Sequence, residues 1–448
     1  MKNNAENIRA LVIGLGRSGR AGAEALVKLG AEVDVYDGTE DIEKREWAKS
    51  IGASASFGES PAHVDGYDMM VLSPGVPTDK AYVLQAEKAG VEIIGELELA
   101  YRYGKGRYVA ITGTNGKTTT TTLVGEIFKN AGKNTEVVGN IGVAVMTRAM
   151  DVSDDTYMVT ECSSFQLDTT VDFCPQVSAL LNITPDHLDR HKTMENYTLA
   201  KAKIFANQSA GQYFVYNEDD ELVKQTVKMC KATPVPFSRK KQLDFGVFVK
   251  DGNIVIRDKK VNFVVCRADQ LRIPGLHNLE NALAASAIAY FAGIGVDVIG
   301  ATLKSFGGVE HRIEDCGTVN GVKYVNDSKG TNPDAAIKAV ISFENIVLIA
   351  GGYDKGASYD EFIASFGDRV KHLVLMGATA EKIREAAEKA GFKNIHMVKD
   401  MKEAVETSSK IAEKGDTVLL SPACASWDMY KKFEDRGDDF RNRVRELR

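Results

Sequence analysis

The sequence predicts an α/β protein of three domains, each built on a mostly parallel sheet flanked by helices. Three observations lead there. Short apolar runs alternate with helical stretches along the chain, the pattern of parallel sheets covered on both faces. Two of these runs end in glycine-bearing turns that open helices, Gly14-Leu-Gly-Arg-Ser-Gly19 and Gly113-Thr-Asn-Gly-Lys-Thr118. The alternation then restarts after Phe306-Gly-Gly-Val309. At 448 residues the chain is too long for one ordinary core. The expected domains are a Rossmann-like 1–98, a P-loop ATPase-like 99–308 and a Rossmann-like 309–448.

In the first block, Arg9–Ile13 reads as a buried strand, followed by an alanine-rich helix from Ala21 to Leu29 and a second strand, Glu32–Tyr36. Met69–Leu72 is a third strand and ends in the rigid turn Ser73-Pro-Gly-Val-Pro77. Tyr103–Arg107, polar and glycine-bearing, reads as a linker. The second block offers strands at Tyr108–Ile111, Tyr157–Thr160, Val177–Ile183 and Gly211–Tyr216. Phe245–Val249 and Asn253–Ile256, joined by Lys250-Asp-Gly252, suggest an antiparallel hairpin. A long apolar helix, Asn278 to Ala292, closes the block. Four strand candidates remain in the third: Val322–Val325, Ile346–Ala350, Leu373–Met376 and Thr417–Leu420.

A net charge of −6 argues against nucleic acid as a partner, because phosphate-backbone binders carry a basic surplus. No apolar run approaches bilayer length, and no secretory segment opens the sequence. The six cysteines are scattered without a Cys-x-x-Cys pair, so they read as reduced thiols in the cytoplasm.

The turn at 113–118 lies between an apolar strand and a helix, which makes it an anion-binding cradle for ATP. Lys117 would neutralise the β/γ-phosphates and the Thr118 hydroxyl would sit on Mg²⁺. Gly14-x-Gly16-x-x-Gly19 matches the dinucleotide fingerprint, with Asp37 near the ribose-binding distance. Its third glycine serves helix–strand packing in any close βα unit, so nicotinamide, another phosphate-bearing ligand and pure packing all stay open. Glu161 ends a strand and could hold Mg²⁺; an acidic helix cap is the plainer reading. His187, in Asn182-Ile-Thr-Pro-Asp-His-Leu-Asp-Arg190, could reach a metal or substrate oxygen or be structural. Lys201 and Lys203 read as an exposed cationic helix face, and His277–Asn281 as an N-cap. Three polar loops of the last block, 326–332, 351–355 and 421–428, each follow a strand, where ligands gather in such sheets.

In order along the chain, these motifs resemble the Mur ligase family of peptidoglycan synthesis. Gly113–Thr118, His277-Asn-x-x-Asn281, His311-Arg312 and Asn326-Asp-Ser-Lys329 are similar to motifs that Mur ligases share with folylpolyglutamate synthases. Ser163-Ser-Phe-Gln-Leu167 and Ser421–Asp428, with Phe433 and Arg436-Gly437, look like the branch that adds D-glutamate. The resemblance implies an ATP-dependent carbon–nitrogen ligase, acting in the cytoplasm as a monomer, with no nucleic acid or membrane partner. It would join D-glutamate to UDP-N-acetylmuramoyl-L-alanine with ATP and two Mg²⁺. Gly113, Thr114, Asn115, Gly116, Lys117, Thr118, Thr119, Asn278, Asn281, Arg312 and Asp327 would contact ATP. Thr118, Glu161, His187 and Lys201, the last as a CO₂-derived carbamate, would serve Mg²⁺, and Lys117, Glu161, His187 and Lys201 the catalysis. Leu15, Arg17, Ser18, Asp37, Gly38, Ser73, Gly75, Asn140 and His187 would bind the UDP-sugar. Lys329, Thr331, Lys355, Ser426 and Phe433 would surround D-glutamate. A dehydrogenase would leave the phosphate loop idle, and a regulatory nucleotide-binding module would leave the polar third block without a role. The 421–426 loop argues against a folylpolyglutamate synthase.

Overall fold

Three sheets carry the chain in a computed structural model that describes residues 4–447 except Ala62, Pro274 and Lys355. The first is parallel, with β1 (Arg9–Ile13), β2 (Glu32–Asp37), β3 (Ser54–Phe57), β4 (Met69–Leu72) and β5 (Glu92–Gly95) in the order β3-β2-β1-β4-β5. The strand order reverses between β1 and β4, so Gly14 and Ser73 flank the crevice where such sheets hold ligands. β3 and β5 escape the sequence reading. Ser54–Phe57 is an edge strand with no fully buried residue, so it lacks the apolar run that marks a central strand.

The second sheet holds nine strands: β6 (Arg107–Thr112), β7 (Thr135–Gly139), β8 (Tyr157–Glu161), β9 (Val177–Leu180), β10 (Tyr213–Asn217), β11 (Thr233–Ser238), β12 (Gly246–Lys250), β13 (Asn253–Asp258) and β14 (Val261–Arg267). Their order is β14-β13-β12-β11-β10-β9-β6-β8-β7, parallel from β7 to β12. The expected hairpin is β12 and β13, extended by a third antiparallel strand, β14. β11 carries Pro234 and Pro236, which argue against an interior strand. Two residues apart, both prolines face the same neighbour, and β12 pairs only with Phe237 and Ser238. The missing amides therefore cost no ladder bond there.

The expected linker is shorter than the sequence suggests. A helix, Glu96–Tyr103, runs across residue 98, and β6 already begins at Arg107. Two of its glutamates are buried and act as caps for the second sheet's loops. Glu98 accepts the amides of Val171, Asp172 and Phe173 at 2.9, 2.9 and 3.1 Å. Glu96 accepts the Met146 amide at 2.5 Å. One continuous apolar core runs from Val12 and Val71 to Ala110 and Phe214, and the first two sheets form one compact unit, 1–271 with 276–305.

The second unit, 272–275 with 306–448, holds the third sheet. It is formed by β15 (Glu314–Val319), β16 (Val322–Asn326), β17 (Ile346–Ala350), β18 (Val370–Leu375), β19 (Ile395–Met397) and β20 (Thr417–Leu420), ordered β15-β16-β20-β17-β18-β19. Only β15 is antiparallel. Among the described residues no helix is long and apolar enough to cross a membrane.

Candidate active site

The phosphate loop leaves β6 as expected and enters the helix Lys117–Asn130 through Gly116, whose φ of 82° favours glycine. A Cβ on Gly116 would lie 2.3 Å from Asn281 Oδ1. Asn281 also accepts from the Thr120 hydroxyl at 3.3 Å and donates to Asn278 at 3.1 Å. These amides come from inside the helix Leu276–Phe291, so the 277–281 segment is not the N-cap the sequence suggests. Helix geometry gives the first-turn amides of Thr118 and Thr119 no intrahelical acceptor, the arrangement that favours an anion there. Thr114 and Asn115 are already engaged, their amides donating to Asn182 O at 2.9 Å and Asn182 Oδ1 at 2.8 Å. Lys117 Nζ donates to the carbonyls of Gly113 and Thr114, at 2.9 and 2.8 Å.

Lys201 overturns the exposed-face reading. It is 1% exposed, at the end of the helix Met194–Ala202, and its Nζ donates to Gly113 O at 2.9 Å. Burial, and then the neighbouring charge of Lys117, hold its pKa well below the usual lysine value. Tyr197, one turn earlier, places its ring 4.6 Å from Nζ and its hydroxyl 3.2 Å from Thr114 Oγ1. The helix relaxes to 3₁₀ at Lys203–Phe205.

Glu161, at the end of β8, is 2% exposed. Its Oε1 accepts from Asn140 Nδ2 at 2.8 Å, while Oε2 is buried with no partner among the described residues. The helix beyond it is capped by Ser163 and Gln166 in a capping box, so the acidic-cap alternative falls away. An orphaned carboxylate oxygen beside a phosphate loop fits a hard cation. Among the described residues no three His, Cys, Asp or Glu side chains cluster as a metal site. Mg²⁺ ordinarily completes its shell with phosphate oxygens and water. His187 takes a left-handed backbone (φ 53°), with a side chain 48% exposed and its ring 4.8 Å from Phe165.

Around the first sheet's crevice, Ser73 Oγ donates to Gly14 O at 2.7 Å. A Cβ on Gly19 would lie 1.8 Å from Gly14 O, so this glycine is required by packing whatever binds. Asp37 is occupied: it accepts from the Leu15 and Thr39 amides and from Lys44 at 2.7, 3.0 and 2.8 Å. Burial alone would raise its pKa, but these three donors outweigh it and hold the carboxyl below its ordinary range. Leu15 is buried, its amide donating to Asp37 and its carbonyl accepting from Arg20 Nε at 3.2 Å. Arg17 donates to Gly142 O at 2.6 Å, beside Asn140. Ser18 is half-buried, and Gly38 and Gly75 are exposed.

In the second unit, Asp327 is buried, with Ser421 Oγ donating to it at 2.7 Å. Burial pushes its pKa up to about 7, against the pull of Ser421 and Arg312. Arg436, which the sequence reading left without a role, is 1% exposed. Its guanidinium donates to Ser328 Oγ and O and to the carbonyls of Cys424 and Ala425, at 2.8–3.1 Å. It thereby joins the loop of Lys329 and Thr331 to that of Ser426. Ser426 Oγ is buried with no partner among the described residues, and Lys329 lies over the Phe433 ring. A Cβ on Gly437 would lie 2.2 Å from His311 Nδ1, which accounts for the Arg436-Gly437 pair. Lys355 lies outside the described residues.

A phosphate loop with a buried glutamate and a buried lysine beside it defines a nucleotide-using α/β protein. The match to known proteins narrows this. Residues 8–95 match the Mur ligase MurD-like N-terminal domain, 111–289 the Mur ligase middle domain and 311–424 the Mur ligase glutamate ligase domain. The chain belongs to the Mur ligase family. It is 49% identical, over 98% of each chain, to UDP-N-acetylmuramoylalanine--D-glutamate ligase of Caldanaerobacter subterraneus subsp. tengcongensis. Identity to the protein of that name from Clostridioides difficile is 48%, over 98% of this chain and 99% of the relative. The crystal structure of UDP-N-acetylmuramate-alanine ligase MurC from Thermotoga maritima shares the fold, with a TM-score of 0.60 at 19% identity over 99% of this chain and 100% of that one.

Proposed function

We propose that this protein joins D-glutamate to UDP-N-acetylmuramoyl-L-alanine at the expense of ATP, as a cytoplasmic monomer in peptidoglycan synthesis. The reading rests on the 49% identity along almost the whole chain to relatives named for that reaction. A carboxylate cannot acylate an amine near neutral pH, because oxide is a poor leaving group. The alanyl carboxylate therefore attacks the γ-phosphorus of ATP and ADP departs. The D-glutamate amine attacks the resulting acyl phosphate, and the tetrahedral intermediate expels phosphate while the amine proton passes to solvent.

Lys117 and the helix amides behind it take the phosphate charge. Thr118, the free oxygen of Glu161, Lys201 as a carbamate and His187 would hold two Mg²⁺, which when bound neutralise the crowded phosphate oxygens. Burial lowers the pKa of the Lys201 amine and so favours its neutral form, the form that adds to CO₂. The first unit supplies Asn278 and Asn281 for the nucleotide, with Ser73, Gly75 and Asn140 for the UDP-sugar. Arg312 and Asp327 in the second are proposed nucleotide contacts. Lys329, Thr331, Lys355, Ser426 and Phe433 would take the two carboxylates and the backbone of D-glutamate.

Phosphate release from ATP, measured with the UDP-muramoyl-alanine substrate and each of D-glutamate, L-glutamate, L-alanine and L-lysine, tests the reading. Release should depend on D-glutamate. Equal turnover with any of the other three overturns the acceptor assignment.

A further inference from the structure

The segment Asn182–Arg190 ends in an arginine to which the reaction gives no role. Arg190 Nη2 donates to Val76 O at 2.8 Å, and Nη1 lies 3.5 Å from Gly75 O. Its guanidinium carbon lies 5.0 Å from the centre of the Phe165 ring. The turn it grips is the one that carries Ser73 and Gly75 at the crevice of the first sheet. On its other side this turn is closed by Ser73, whose amide donates to Ile13 O and whose hydroxyl donates to Gly14 O. The second sheet thus holds the far edge of the turn through one side chain.

That side chain is itself held in place. Phe165 stacks on His191 at 5.4 Å, and His191 Nε2 lies 2.9 Å from Ser164 Oγ. His191 lies 5.2 Å from the Tyr197 ring, and Tyr197 reaches Thr114 and Lys201. The turn at 73–77 is therefore linked, contact by contact, to the wall of the phosphate loop. A planar guanidinium suits this place because it can stack on a ring while donating in its own plane, which an ammonium cannot do.

We propose that Arg190 is a positioning residue for the sugar nucleotide, fixing the 73–77 turn against the loops that flank the phosphate loop. The proposal rests on the functional reading above. Removing Arg190 frees the turn on one side, so the sugar nucleotide must order it on binding, whereas the ATP loop keeps its own bonds to Asn182, Tyr197 and Lys201.

The test is steady-state kinetics of Arg190→Ala, Arg190→Lys and Phe165→Leu, with melting temperatures and calorimetric binding of the UDP-muramoyl-alanine substrate. Wild-type protein is assayed first: without D-glutamate-dependent phosphate release, the functional reading itself fails. Given that activity, Arg190→Ala should raise KM and Kd for the UDP substrate by about tenfold or more, with KM for ATP moving less than about threefold. Arg190→Lys, which keeps a donor and loses the fork and the stack, should fall between. Phe165→Leu should shift the same constants in the same direction by less. Unchanged UDP-substrate constants in the alanine variant overturn the proposal, as does an equal rise for both substrates with a lowered melting temperature. If Arg190→Ala does not fold, Arg190→Lys and Phe165→Leu decide by the same criteria.

Discussion

At residue scale, two buried titratable groups beside the phosphate loop carry the sharpest expectations. The folded-state pKa of Lys201 is depressed, so between that value and the ordinary 10.5 the unfolded chain binds the extra proton. Stability contributed at this position therefore rises with pH across that window, and burying the lysine is a cost below it. Lys201→Met should abolish turnover yet melt at a higher temperature than the wild type at pH 7, with the gap narrowing toward pH 10. Near-normal activity in that variant would return Lys201 to a packing role. Glu161→Gln keeps an acceptor for Asn140 and loses the charge at the orphaned oxygen. Its kcat should fall by about 100-fold or more, with the Mg²⁺ dependence displaced to higher concentration, measured by phosphate release across a Mg²⁺ titration. Lys201 was legible in the sequence only through the family resemblance, since its helix spacing by itself reads as an exposed cationic face. Nothing local showed that this face turns inward against Gly113, since lysine on a helix is usually solvated.

At the scale of elements, the helix Glu96–Tyr103 binds two sheets together through buried carboxylates. Burial pushes the Glu96 pKa up to about 7, against the pull of the Met146 and Val145 amides. With a folded value above the ordinary 4.5, the folded state holds the proton between the two. Stability from this group therefore falls as pH rises from 4.5 to 7, and above pH 7 the buried carboxylate costs ~3 kcal/mol. Glu96→Gln retains an oxygen for the Met146 amide and should remove that slope. Urea unfolding at pH 5 and pH 8 should find the variant ahead of the wild type mainly at pH 8. A variant weaker at both would show that the charge itself is needed to cap 145–149. The sequence reading placed a linker near this helix because Gly104 and Gly106 punctuate the chain. What it lacked was the partner: Glu98 is ordinary on a helix until three amides of residues 171–173 converge on it.

For the whole molecule, the ligand of the first sheet separates the rival classes. The fingerprint at 14–19 is explained by the approach of Gly19 to Gly14, and Asp37 is already paired with Lys44, so neither feature selects a nicotinamide cofactor. Hydrogen exchange should show the UDP substrate protecting residues 14–19 and 73–77, D-glutamate protecting 327–331 and 426–433, and NAD(P) protecting neither. At 100 times its Kd the UDP substrate should stabilise the protein by about 2.7 kcal/mol. Saturable protection of 14–19 by NAD(P) would sink the assignment.

Sequence alone determined the class of each sheet, because burial on both faces demands uninterrupted apolar runs, and Val12, Val109 and Leu348 lie in such runs. It also located the phosphate loop, whose glycines and lysine are dictated by local backbone geometry. Edge strands such as Ser54–Phe57 stayed hidden, since a half-exposed strand needs no such run. Tertiary structure alone decided which polar side chains lost their water. Lys201 reads as an exposed charge along the chain, and nothing local to Glu96, Glu98 or Arg436 marks them for burial. They become buried, paired or orphaned only when segments distant in sequence close over them, and a linear pattern carries no record of that closure.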